Sequence, residues 1–120
     1  MTGYEKLNVW QKSMELVTEI YKLVKKFPKE EMFALSDQIR RSAVSIPSNI
    51  AKGSSRNSKK EFIQFLYISL GSICELETQL KINENVGYLN SLNELFNKTE
   101  KIKKMINALI TSLKKDLKND

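Results

Sequence analysis

Residues 35–60 read LSDQIRRSAVSIPSNIAKGSSRNSKK, and their spacing decides the fold. Ile39, Ala43, Ile46 and Ile50 recur at steps of three and four, the period of one helical face. Met32 and Leu35 extend that stripe upstream. Pro47 lies inside it. A mid-helix proline deletes one backbone N–H and presses on the carbonyl four residues back, here Ala43, at a cost of about 3 kcal/mol. The stripe nevertheless passes through Pro47 without losing phase, so the spacing predicts one helix that kinks and continues. Gln38, Ser42, Ser45, Asn49, Lys52 and Arg56 share a polar face at the same period, and Val44, Pro47 and Ala51 form a small apolar strip. Gly53-Ser54-Ser55 supplies the stop. Lys52, Arg56, Lys59 and Lys60 then gather positive charge with no acid among them.

The flanking chain has the same period. Trp10, Met14, Val17, Tyr21 and Val24, beside Val9, Leu16, Ile20, Leu23 and Phe27, predict a helix over 8–26. Asn8 is its expected cap and Pro28 its terminator. The second helix, expected over 31–53, starts at the acids Glu30 and Glu31, which suit a helix N-terminus. Ser58 and Glu61 form a capping box for a helix over 58–83, whose core face is Phe62, Phe65, Leu66, Ser69, Ile73, Leu76 and Leu80. Ile63, Tyr67, Leu70 and Cys74 widen that face to about half the circumference, a second strip that something must cover. A break follows over 83–90, with Gly87. Asn90, or Ser91 with Glu94 at the box position, caps a helix over 91–117. Its stripe is Leu92, Phe96, Ile102, Ile106, Leu109, Leu113 and Leu117, with Thr99 as the polar member, and Lys114, Lys115 and Lys118 suit its C-terminus. Short connections place successive helices antiparallel. The expected fold is all-α: one domain over 1–120, an antiparallel up-down-up-down four-helix bundle.

A chain of 120 residues can bury one modest core. Its net charge of +6 is uneven: residues 1–60 hold 12 Lys+Arg against 6 Asp+Glu, and residues 61–120 hold 8 against 8. A basic half points to an anionic partner such as nucleic acid, or serves only as solubilising charge. There is no histidine, which removes the usual neutral-pH base and zinc sites of the usual kind. The one cysteine, Cys74, excludes an intrachain disulfide and is expected as a buried thiol. Glu75 and Glu77 project to different faces, and no glycine loop would cradle phosphate. Neither enzymatic activity nor a cofactor is expected. No apolar run approaches the ~20 residues of a membrane span, and the first residues lack a basic-then-apolar leader, so the cytoplasm is the expected location.

Several segments resemble a known family: Leu7-Asn8-Val9-Trp10-Gln11-Lys12, Phe27-Pro28-Lys29-Glu30-Glu31, residues 38–51 (QIRRSAVSIPSNIA) with Gly53 and Arg56, Gly71-Ser72, residues 75–80 (ELETQL) and Gly87-Tyr88. Together they resemble the four-helix-bundle proteins encoded in intervening sequences of bacterial 23S ribosomal RNA genes. Distant relatives of that family are accessory proteins to the reverse transcriptase of diversity-generating retroelements. The resemblance covers roughly residues 4–110. It implies a barrel-like homopentamer and, from the basic retroelement relatives, association with nucleic acid and a reverse transcriptase. Lys52 stands where the family usually has Glu, which makes the turn more basic.

The candidate nucleic-acid-binding residues are Arg40, Arg41, Lys52, Arg56, Lys59 and Lys60. For Arg40 and Arg41 the alternative is a pair with Glu75 or Glu77 of a neighbouring subunit. In a hairpin turning near Ser55, Arg40 lies opposite about residue 70, leaving Glu77 ~10 Å further along. The candidate oligomer interface is Ser45, Pro47, Asn49, Ile63, Tyr67 and Leu70; close packing across small residues is the alternative for the group around Pro47. Trp10, Phe62, Phe65 and Tyr67 are expected in core or interface. Two functions stand: an oligomeric helical scaffold that binds RNA or a nucleic-acid enzyme, and a purely structural self-assembling module.

Overall fold

Leu7, not Asn8, opens the first helix. It takes an extended conformation (φ −72°, ψ 123°), its side chain makes no capping hydrogen bond, and Asn8 is already helical. The computed structural model describes residues 3–28 and 34–119; the expected helix start at Glu30 or Glu31 and the core assignment of Met32 lie outside them. A short 3-10 turn, Gly3–Lys6, precedes four helices: α1 (Asn8–Val24), α2 (Ala34–Ser54), α3 (Lys59–Asn85) and α4 (Asn93–Asn119). The described residues contain no strand. No helix among them is long and apolar enough to cross a membrane.

α2 runs unbroken through Pro47, as the continuous stripe requires. Ile39, Ala43, Ile46 and Ile50 are fully buried, and Leu35 is half-buried. Gly53 does not stop this helix by adopting a left-handed backbone; among glycines only Gly3 and Gly87 have positive φ. Its role is close approach. A Cβ there would lie 2.7 Å from Phe65 Cβ and 2.9 Å from Phe62 Cδ1. Gly53→Ala should therefore lower stability by about 1–3 kcal/mol through overpacking, more than the helix propensity alanine gains near a helix end. A urea midpoint equal to or above that of the wild type would disprove the close approach.

Ser58 caps α3 as expected, its Oγ accepting from Glu61 N at 3.2 Å. The break after α3 comes later than expected. Asn83 is buried inside the helix, and its carbonyl accepts from Tyr88 N at 3.0 Å and Leu89 N at 3.3 Å. Gly87, at φ 88°, supplies the reversal. Ser91 is not the cap of α4: it sits at φ 58°, whereas a cap residue is extended, and α4 begins at Asn93.

One apolar cluster draws on all four helices and on the turns at Phe27, Leu89 and Leu92. α4 contributes Ile102, Ile106 and Ile110, with Thr99 buried beside them. Ile110 takes the place expected of Leu109, which is half-buried, and Leu117 is exposed. The widened face of α3 is covered in part by the chain itself. Ile63 is in the core, Leu70 packs against it, and exposed Tyr67 receives a hydrogen bond from Lys114 Nζ of α4 at 2.7 Å. Cys74 is exposed, not buried: it lies on the rim of a groove between α3 and α4 with Thr78, Ile82 and Phe96. Gly71, in mid-α3, has no atom within 4 Å of where its Cβ would be. Glycine there costs roughly 0.5–1 kcal/mol relative to alanine, and the chain's own packing gives no reason for it.

Candidate nucleic-acid interface

Hydrogen bonds fix how the helices are placed along one another. Between α2 and α3, Ser42 Oγ donates toward Gln79 Oε1 at 2.8 Å, with Glu75 Oε1 at 3.2 Å. Ser45 Oγ lies 2.7 Å from Ser72 Oγ, and Ser69 Oγ donates to the Ile46 carbonyl at 3.0 Å. Partners fall along α3 as they rise along α2. The polar face of α2 therefore meets α3: Ser42 is buried, and Asn49 donates to the Ser45 carbonyl and Oγ at 2.8 and 2.9 Å. Small hydroxyl side chains let the two backbones approach, and their mutual bonds satisfy the groups so buried. Pro47 is buried, so Ser45, Pro47 and Asn49 sit in or beside this seam.

Between α3 and α4 partners also run in descending order: Lys81 over the Phe96 ring, Glu77 with Thr99 and Lys103, Tyr67 with Lys114, Lys59 with Asp116. The last turns of α4 thus lie beside the first turns of α3. Lys114, Lys115 and Lys118 come to the same end of the molecule as Lys52, Arg56, Lys59 and Lys60. All seven are exposed. Asp116 Oδ2, 3.9 Å from Lys59 Nζ, offsets one of them from across the bundle. Arg56 stacks over the Phe65 ring at 5.2 Å, which holds the guanidinium at the turn.

Arg40 and Arg41 stand apart from this end. Arg40 is twelve residues before Lys52 on one helix, ~18 Å at 1.5 Å per residue. It lies 5.8 Å from the Tyr21 ring of α1, while Arg41 pairs with Asp37 at 3.1 Å. Neither pairs within the chain with Glu75 or Glu77. Glu77 is occupied: Thr99 Oγ1 donates to it at 2.6 Å and Lys103 Nζ at 2.9 Å. Glu100 and Glu77 hold the Lys103 ammonium well above the ordinary lysine range. A raised lysine pKa adds stability that is complete below the unfolded value of about 10.4 and lost as pH climbs through the folded value. Lys103→Met, which leaves the half-buried Glu77 carboxylate with Thr99 alone, should cost about 1–3 kcal/mol. Urea titrations should show that deficit constant from neutral to mildly alkaline pH and shrinking only above about pH 10.

The sequence pattern does not reveal that the α4 lysines join the basic turn. They read as ordinary dipole partners, and only the descending α3–α4 partners bring them there. Among the described residues no cluster of acidic or cysteine side chains could hold a metal ion.

Four helices around one core, with a basic end, define a helical-bundle protein whose chemically distinctive surface is a charge cluster. The chain belongs to the 23S rRNA-intervening sequence protein family, whose profile matches residues 5–108. It is similar to a crystal structure, at 1.70 Å resolution, of a protein with unknown function from the S23 ribosomal protein family of Bacteroides thetaiotaomicron VPI-5482. The two are 30% identical, with 86% of this chain and 95% of that chain covered and a TM-score of 0.79. A search of curated proteins returns no match.

Proposed function

We propose that this protein is a non-enzymatic, self-assembling helical scaffold whose basic end binds RNA, or a nucleic-acid enzyme such as a reverse transcriptase, in the cytoplasm. The observation that carries the reading is the spatial gathering of Lys52, Arg56, Lys59 and Lys60 with Lys114, Lys115 and Lys118. All seven cations are exposed, drawn from two segments far apart in sequence. Such a patch suits a run of backbone phosphates. Family membership supports the association with RNA-gene context. The protomer is taken as an antiparallel up-down-up-down bundle, the arrangement that the descending partner order and short turns favour. Five protomers closing into a barrel would repeat the basic end around one axis and make a weak site multivalent. The purely structural module is the rival reading. Retention on immobilised single-stranded RNA at two salt concentrations separates them: the scaffold binds at low salt and elutes steeply as salt rises, whereas the structural module fails to bind at low salt.

A further inference from the structure

α3 carries an outward stripe at helical spacing: Gln64, Ile68, Gly71, Glu75, Thr78 and Ile82. Ile68 is 50% and Ile82 53% exposed. Open space surrounds Gly71 in this stripe. With no side chain at Gly71 and exposed isoleucines on either side, the stripe leaves room for a backbone from outside to come close. Glu75 is the charged member of the stripe, and it is exposed.

A concave surface lies elsewhere on the bundle. α1 and α4 touch far less than the other neighbouring helices. Between them runs a cleft of about 620 Å³, floored by Leu16, Ile102 and Met105 and rimmed by lysines. Lys12 pairs with Glu15 and Lys98 with Glu19, which leaves Lys22 and Lys101 as unbalanced rim charge. The rim on α1, Lys12 to Lys22, is ~15 Å long, against ~21 Å for the stripe from Ile68 to Ile82.

We infer that the outward stripe of α3 in one copy docks in the α1–α4 cleft of the next, with Gly71 at the point of closest approach. This rests on the self-assembly proposed above and names its contact surfaces. The contact joins two different faces, so it is heterologous, the kind that closes rings.

The test is sedimentation of the full chain with Gly71→Leu and, separately, Lys22→Glu/Lys101→Glu, each checked for helicity by circular dichroism. Both variants change exposed positions and keep the fold. The expected result is an assembled wild type and, for each variant, association weakened about thirtyfold, the size of a hot-spot residue. Adding Glu75→Lys to the lysine reversals should recover part of the loss. An assembled wild type whose association neither variant changes would overturn these surfaces and leave self-assembly standing. A monomeric wild type at micromolar concentration would overturn both.

Discussion

Ile50→Ala should lower the stability of the fold by about 2–5 kcal/mol. Ile50 is fully buried in the common core, one turn before the point where Gly53 clamps α2 onto α3. Removing three carbons forfeits their transfer free energy. It also leaves a cavity that the neighbouring backbone, held by the Ser69–Ile46 and Ser45–Ser72 bonds, cannot easily close. Ile50→Val, which removes one methyl group, should cost only about 0.5–1.5 kcal/mol. Val44→Ala, on the same helix but 39% exposed, should stay within about half a kcal/mol. Urea unfolding with an unchanged slope reads all three. A loss below half a kcal/mol for Ile50→Ala would place Ile50 outside the core and undo the stripe on which the fold rests.

That stripe was legible because Ile39, Ala43, Ile46 and Ile50 tolerate only one helical phase, and α2 keeps it through Pro47. The Ser58–Glu61 start was legible for a local reason: both partners lie within four residues. Other details depend on distinctions finer than residue type. Asn8 and Ser91 are good capping residues, but Asn8 is already the first residue of α1, and α4 begins two residues after Ser91. Leu109 and Ile110 are adjacent apolar residues, and the 3.6-residue period brings the isoleucine to the core. Cys74 sits where the apolar strip of α3 meets the edge of α4, and a periodicity cannot say where a neighbour's cover ends. The basic end was half legible. Lys52, Arg56, Lys59 and Lys60 fall within nine residues of sequence, whereas Lys114, Lys115 and Lys118 join them only through the placement of α4. Gly71 could be read from sequence as a weak point in a helix. That it has nothing to pack against is a fact of three dimensions.

Replacing Arg56, Lys59 and Lys60 with glutamine should weaken binding to single-stranded RNA on the order of 100-fold at 0.1 M salt, and flatten the plot of log affinity against log salt by about two. Each phosphate neutralised releases counterions, with a slope of about −0.7 per contact on single strands, so three lost contacts set both numbers. Contact with backbone phosphate carries no sequence information, so the loss should be the same for unrelated RNA sequences. The fold should survive, because all three side chains are exposed. The 3.9 Å pair of Lys59 with Asp116 is exposed on both sides and of little net stability. Two further variants locate the surface. Glutamine at Lys114, Lys115 and Lys118 should weaken binding comparably, because α4 brings those cations to the same end. Glutamine at Arg40 and Arg41 should change it little, since Arg41 is held by Asp37 and both lie ~16 Å or more from Lys52 along α2. If the arginine pair dominates instead, the interface lies on the face shared by α1 and α2. If neither lysine set changes the affinity or the salt slope, the basic end is only a solvated face and the structural module is the correct reading.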